Sequence, residues 1–421
     1  GKRLPKGVGF SPCRTAHAYI RVTDMKNHSI NTDDLKYISE AVFLQIKNYT
    51  ISKDDLYVTI AGTIGVTGEV PTELDGMNLT ENAVKITNIQ INKTYLCLII
   101  QSEFVQQQFQ DKTHQVAMPK LALERILSTL IPVCTITTQS AMVSKFVEMD
   151  SLINQIREEK EILAETVSLT KSKILDLAIR GQLVPQDPND EPALVLLERI
   201  RAEKEELIKA GKIKRDKKES IIFRGEDNSY YQQTGTLIEN INDWNLDDIP
   251  INWELCCLGE ICDYGNCVNV DTKDIDEEAW VLDLEDIEKD SGKVIHKIRK
   301  YERDSSSTKH LFKKGQVLYS KLRPYLNKVV LADEEGFCTS EILPLNFSNV
   351  VEPQYALYYL MSPTFLKYAN RCSYGVKMPR LGTADGRKAV FPLPPFEEQR
   401  RISQHISKIF IEIDNISNML L

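Results

Sequence analysis

Residues 292–328 carry eleven Lys or Arg against two acids, Glu302 and Asp304. A local excess of positive charge suits a polyanion, and its first chemistry would be contact with phosphates. Arg adds a planar fork that can address guanine through two hydrogen bonds, whereas Lys acts as a point charge. For a nucleic-acid ligand the candidates are Lys297, Arg299, Lys300, Arg303, Lys309, Lys321, Arg323, Tyr325 and Lys328, with base choice falling to Arg299, Arg303, Arg323 and Tyr325. In the first part of the chain they are Lys2, Arg3, Lys6, Arg21, Lys26 and Asn27. A basic run is also the ordinary make-up of a solvated face, and the whole chain has a net charge of -8, so charge alone leaves both readings open.

Catalytic chemistry finds less support. Pro394-Pro395-Phe396 resembles the Pro-Pro-aromatic core of adenine methyltransferases, but Leu393 stands where an Asn or Asp would accept the target amino group. There is no glycine-rich S-adenosylmethionine loop and no Walker lysine loop, so ATP-driven work is not expected of this chain. Cys256, Cys257, Cys262 and Cys267 lack a C-x₂-C pair and a flanking His, which points to packing and not to zinc. The six His are isolated. The acidic group Asp283, Glu285 and Asp286 could suggest a nuclease, yet the matching positions upstream are Arg21, Thr23 and Asp24, which a strand-end loop explains better.

Composition is that of a globular protein, with 42% hydrophobic and 27% charged residues. Nine cysteines, an odd number, fit reduced thiols. No segment has the layout of a signal peptide or the length of a membrane span, so a cytoplasmic protein without membrane contact is expected.

The elements that must position the candidates are two helices with apolar residues in heptad rhythm. Met142, Phe146, Met149, Ile153, Ile156, Leu163, Val167, Ile174 and Leu177 form one seam, interrupted at Lys160 and Thr170. Ile402, Ile406, Ile409, Ile413, Ile416 and Leu420 form the other. Two seams in one chain predict an intramolecular coiled coil, and separate surface helices are the blander alternative. Segments 18–22, 56–60, 83–86 and 95–100 read as strands, and 104–110 as helix. A second helix is expected from Asp190 and Pro192 to Ala210, followed by an extended connection through 221–248.

A long-period repeat ties these pieces together. Met118-Pro119-Lys120-Leu121 recurs as Met378-Pro379-Arg380-Leu381, an offset of 260 residues that also carries Pro132 to Pro392, Gln139 to Gln399 and Met142 to Ile402. The chain therefore reads as a duplicated unit, domain then helix. If its helices paired antiparallel, the two domains would lie at opposite ends of a rod, a geometry suited to two spaced sites on one face of duplex DNA.

This repeat, with GQLVPQDPNDEPA, LIKAGKIKRDK, FRGEDNSYY, SKLRPYLNK, VKMPRLG and PLPPFEEQRRI, resembles the specificity subunit of Type I restriction-modification enzymes. The resemblance implies an α+β (mixed α/β) fold: two similar globular target recognition domains separated by a long antiparallel coiled coil of two conserved helices, a pseudo-two-fold internal repeat. The expected divisions are 1–140, the first recognition domain without its opening segment; 141–180, the central spacer helix; 181–250, a loop, short helix and extended connection; 251–394, the second recognition domain; and 395–421, the distal spacer helix paired with 141–180. The implied function is recognition of a bipartite, asymmetric double-stranded DNA site that directs adenine methylation or restriction by partner chains. The implied partners are two modification (methyltransferase) subunits and the restriction (ATP-dependent nuclease and translocase) subunits. S-adenosylmethionine, ATP and magnesium are expected on those partners, and no cofactor on this chain. A coiled-coil adaptor without DNA readout and a methyltransferase with fused recognition domains are the alternatives.

Overall fold

The computed structural model describes all residues except 112–119, 212–218, 245, 247, 304–306 and 421. The first copy of the Met-Pro motif and most of the basic GKIKRDKKES stretch lie outside the described residues. The chain divides into two compact units, Gly1–Arg157 and Glu158–Leu421.

Each unit is mixed α/β and built on one plan. Unit 1 has a four-stranded sheet in the order Lys36–Ile38, His17–Ile20, Met77–Leu79, Thr50–Ile51, in which His17–Ile20 runs parallel to Met77–Leu79. Unit 2 repeats this order with Ile298–Arg299, Trp280–Leu282, Gly336–Thr339 and Lys309–Phe312, again with one parallel pair, and adds Val268–Val270 as a fifth strand. A three-stranded antiparallel sheet accompanies each, centred on Leu56–Thr59 in unit 1 and on Val317–Ser320 in unit 2.

Side chains at the 260-residue offset make the same bonds. The Gln139 carbonyl accepts from Asn92 N–H (2.9 Å) and its amide donates to Cys134 O (2.7 Å). Gln399 accepts from Glu352 N–H (2.8 Å) and donates to Pro394 O (2.9 Å). Tyr95 O–H donates to Pro132 O (3.1 Å), as Tyr355 O–H does to Pro392 O (2.9 Å). These buried glutamines satisfy main-chain groups where the chain turns from domain into helix, a site that an apolar residue would leave with unpaired donors and acceptors.

Residues 95–100 correct the sequence reading. They lie in a helix, Lys93–Gln101, whose Asn92 side chain accepts from Tyr95 N–H (2.9 Å) as an N-cap. A short apolar run fits a buried helix as well as a strand, and the cap decides between them. Residues 220–240 are likewise not merely extended: Ser220–Arg224, Tyr230–Thr234 and Leu237–Asn240 form an antiparallel sheet.

The long helix is Ile136–Ile179, of 44 residues, and the C-terminal helix is Phe396–Leu420. In unit 2, Leu175, Ala178 and Ile179 share a core with Ile402 and Ile406. Farther along, Lys171 pairs with Asp414 and lies over the Phe410 ring. The start of the second helix thus meets the end of the first, and the pair runs antiparallel. Residues 181–190 clamp this joint: Arg401 grips Asp190 (2.5 Å) and the Gln186 amide donates to Glu398 (2.6 Å). Gly181, at φ +69°, turns the chain where a Cβ would meet Pro250 at 2.3 Å. In unit 1 the seam residues Met142, Phe146, Met149, Ile153 and Ile156 are each about half exposed.

Candidate nucleic-acid interface

Most of the basic run in unit 2 is already partnered. Arg303 lies 2.5 and 2.8 Å from the two carboxylate oxygens of the fully buried Asp286 and 3.2 Å from Glu285. Lys309, 2% exposed, reaches Asp283 at 2.8 Å. Lys297 bonds Asp333 (2.9 Å) and lies over the Trp280 ring, and Arg299 bonds Glu334 (2.7 Å). Lys300 bonds Glu277 (2.8 Å), and Lys328 donates to Leu284 O (2.6 Å). Lys321 is half-buried.

Arg323 and Tyr325 differ. The loop 321–328 carries two residues in the left-handed region, Arg323 (φ 49°) and Asn327 (φ 47°). Non-glycine residues adopt this region at a cost and need support, which Pro324 and the neighbouring chain supply here. Arg323 N–H donates to Pro379 O (2.7 Å) and Leu381 N–H donates to Lys321 O (3.0 Å). Those bonds fasten the loop to a hairpin in which Ser373–Tyr374 pairs with Arg380–Leu381. Arg380 holds the hairpin base through two bonds to Glu341 (2.8 and 3.0 Å). Arg323 and Tyr325 face solvent, as do Tyr374, Val376, Lys377 and Met378 around the hairpin tip. Among the described residues no acid pairs with Arg323.

Tyr374 and Lys377 were not candidates from sequence. The signal for Lys377 was present in VKMPRLG, and Tyr374 and Gly375 (φ 101°), which makes the turn, stand just before it, but two cations in a motif weigh little beside a run of eleven.

In unit 1, Arg21 is held by Asp24 (2.6 Å) and Asp34, and Arg3 by Glu81 (2.6 Å). Lys2 lies over the Tyr49 ring. Lys26 and Asn27 form the exposed tip of a hairpin, Met25–Lys26 against Ser29–Ile30, with Asn27 and His28 both at positive φ, as a tight two-residue turn requires. Glu69 N–H donates to His28 O (2.9 Å) and fixes the tip. Lys6 is exposed.

The structure also places the residues weighed for catalysis. Asp286 and Asp24 do the same work: each accepts from the main chain three residues earlier (Asp283 N–H at 2.7 Å, Arg21 N–H at 2.8 Å) and each holds an arginine. Cys256 and Cys257 are buried on a strand, and burial pushes the Cys257 thiol up to about 12. Leu393 is buried opposite Glu254. No described helix is long and apolar enough to cross a membrane.

Residues 250–420 match the family model of the Type I restriction modification DNA specificity domain. Two curated relatives from Escherichia coli extend the match: the Type I restriction enzyme EcoAI specificity subunit, 30% identical, and the EcoEI specificity subunit, 31% identical, each over 59% of this chain. The chain is similar to the Type I restriction-modification specificity subunits, and residues 250–420 carry their DNA specificity domain. Its matches span 40% of the length of each of these two relatives. A solved structure described as the basis of complex assembly and conformational transition of the type I R-M system covers 96% of this chain and 86% of its own, with a TM-score of 0.56 and 16% identity. It shares the fold of two β-rich domains with long helices.

Proposed function

We propose that this chain is the non-catalytic DNA-reading subunit of a Type I complex, with adenine methylation and cleavage carried out by modification and restriction subunits in the cytoplasm. Each unit reads one half of a bipartite duplex site. S-adenosylmethionine, ATP and magnesium act on the partner subunits. In unit 2 the reading surface is loop 321–325 with the hairpin 374–380, and in unit 1 it is the hairpin tip at Lys26 and Asn27 with Lys6. Arg299, Arg303, Lys309 and Arg21 serve as internal struts.

The observation that carries this reading is Arg323: an exposed guanidinium without an acid partner among the described residues, on a loop bonded through its main chain to an exposed hairpin. Base reading needs such placement, because a mobile arginine loses its geometric advantage to ordering entropy. The test is adenine methylation mapping in cells that express the chain with its modification subunit. Arg323→Ala should relax or abolish one half-site and leave the other intact, and equal loss at both halves would refute the assignment. Lys377→Ala should weaken binding uniformly and lower the salt dependence by about one phosphate contact.

A further inference from the structure

The tip of the hairpin between Tyr374 and Arg380 reads Gly-Val-Lys-Met-Pro, and its apolar residues are in solvent. Val376 is 102%, Tyr374 63% and Met378 44% exposed. Other hairpin tips of this chain are polar, as turn chemistry favours: Asn27-His28 in unit 1 and Glu226-Asp227-Asn228 in unit 2. Val376 buries nothing, so it contributes nothing to the fold, and Met378 contributes little.

The tip is nevertheless well fastened. Gly375, at φ 101°, turns so tightly that a Cβ there would lie 3.2 Å from Met378 O. The Arg380 guanidinium donates to that same Met378 O (3.3 Å) while bonding Glu341. Ser373 O–H donates to Ala369 O (2.6 Å) at the start of the hairpin, and Pro379 O accepts from Arg323 N–H (2.7 Å) at its end. Two apolar side chains are thus presented to solvent on an ordered base, with the exposed cations Lys377 and Arg323 beside them. The cations suit a polyanion, and the apolar pair needs an apolar group carried by it.

We propose that Val376, with Met378, reads the C5-methyl of a thymine in the half-site taken by unit 2. The inference rests on the DNA-reading proposal and adds a base to it. Arg323 addresses guanine O6 and N7, which lie in the major groove, and the hairpin bonded to its loop enters the same groove. Base-pair edges there present hydrogen-bonding atoms, and the apolar group among them is the thymine methyl. Valine and methionine side chains cannot replace the water on those polar atoms, but they can cover a methyl. Valine's branched side chain is also stiff at χ1, so little freedom is lost on contact. Val376 stands three residues from Pro379, at most about 10 Å of chain. With base pairs about 3.4 Å apart, the thymine falls within about four base pairs of the guanine.

The test uses the full chain in complex with its modification subunit, and the half-site that Arg323→Ala alters in methylation mapping. Each thymine of that half-site is replaced in turn by deoxyuridine, which lacks only the C5-methyl, and binding is followed by fluorescence anisotropy at one salt concentration. One position should weaken binding by about fourfold, the worth of one methyl group removed from water. Val376→Ser, a change at an exposed position that the fold tolerates, should bind the thymine duplex more weakly and no longer tell it from the deoxyuridine duplex. Lys377→Ala should lose affinity for both alike. A half-site in which no deoxyuridine matters overturns the inference, as does full discrimination in Val376→Ser combined with Met378→Ala. So does a 2-aminopurine in the half-site that brightens on binding without any deoxyuridine effect, because the tip then lies between bases. Any of these beside loss of the half-site in Arg323→Ala sinks the thymine contact alone. An intact half-site in Arg323→Ala sinks the reading by unit 2, and the thymine contact with it.

Discussion

Replacing Arg303 separates a structural cation from a reading one. Asp286 is fully buried and accepts from Asp283 N–H (2.7 Å) and from the Arg303 guanidinium (2.5 and 2.8 Å). Arg303→Ala leaves a buried carboxylate with one main-chain donor, and removing one partner of a buried pair costs about 3–5 kcal/mol. Because Arg303 is itself 17% exposed, solvent screens part of the pair and the lower end, about 3 kcal/mol, is expected. For a unit of this size that corresponds to a fall in Tm of roughly 6–12 °C. Arg303→Met with Asp286→Asn removes both charges and should recover more than half of the loss. Arg323→Ala touches an exposed side chain, so its Tm should stay within about 1 °C while one half-site is lost. Differential scanning calorimetry beside methylation mapping decides the matter. If Arg303→Ala melted like the parent and erased a half-site, Arg303 would be a reader and the strut argument would fail.

Further outcomes follow from other contacts. Gln399→Leu unpairs Glu352 N–H, Val350 O and Pro394 O and should cost about 3 kcal/mol in urea unfolding, with no compensation from the apolar side chain. Gly181→Ala places a Cβ 2.3 Å from Pro250 at φ +69° and should destabilise by more than about 1 kcal/mol, read by the same titration. The bonds from Arg380 hold the Glu341 carboxyl below its ordinary range. A carboxyl depressed on folding contributes stability above its unfolded pKa and loses it as pH falls through its folded pKa, so hydrogen exchange of the 373–381 amides should quicken between about pH 5 and 3. Glu341→Gln should remove that pH dependence.

The duplicated plan was legible because the joint between domain and helix keeps its anchors: Pro132 and Pro392, Gln139 and Gln399 share their types as well as their spacing. Both long helices were legible from period alone. Residues 95–100 were misread because apolar residues side by side carry no period, and the deciding cap at Asn92 lies outside the run. The partners of the basic residues were hidden for another reason. Asp333 and Glu334 lie more than thirty positions from Lys297 and Arg299, beyond any local charge window, so strand pairing alone reveals that the run is neutralised. The hairpin around Tyr374 owes its place to main-chain bonds with 321–323, which no side-chain pattern announces.

The clamp between residues 181–190 and the second helix also sets an order in time. Arg401 meets Asp190 across 211 positions of chain, and Ile402 and Ile406 complete a core with Leu175, Ala178 and Ile179. During synthesis those first-helix residues leave the ribosome well before their cover. At roughly 5–20 residues per second the interval is about 10–40 s, in which the end of the long helix presents an uncovered apolar stripe and the rest of unit 2 folds beside it. Nascent chains of this protein are therefore most exposed to misassociation between the emergence of Ile179 and that of Ile406, and a translational pause placed inside that window should lower the soluble yield more than one placed after it.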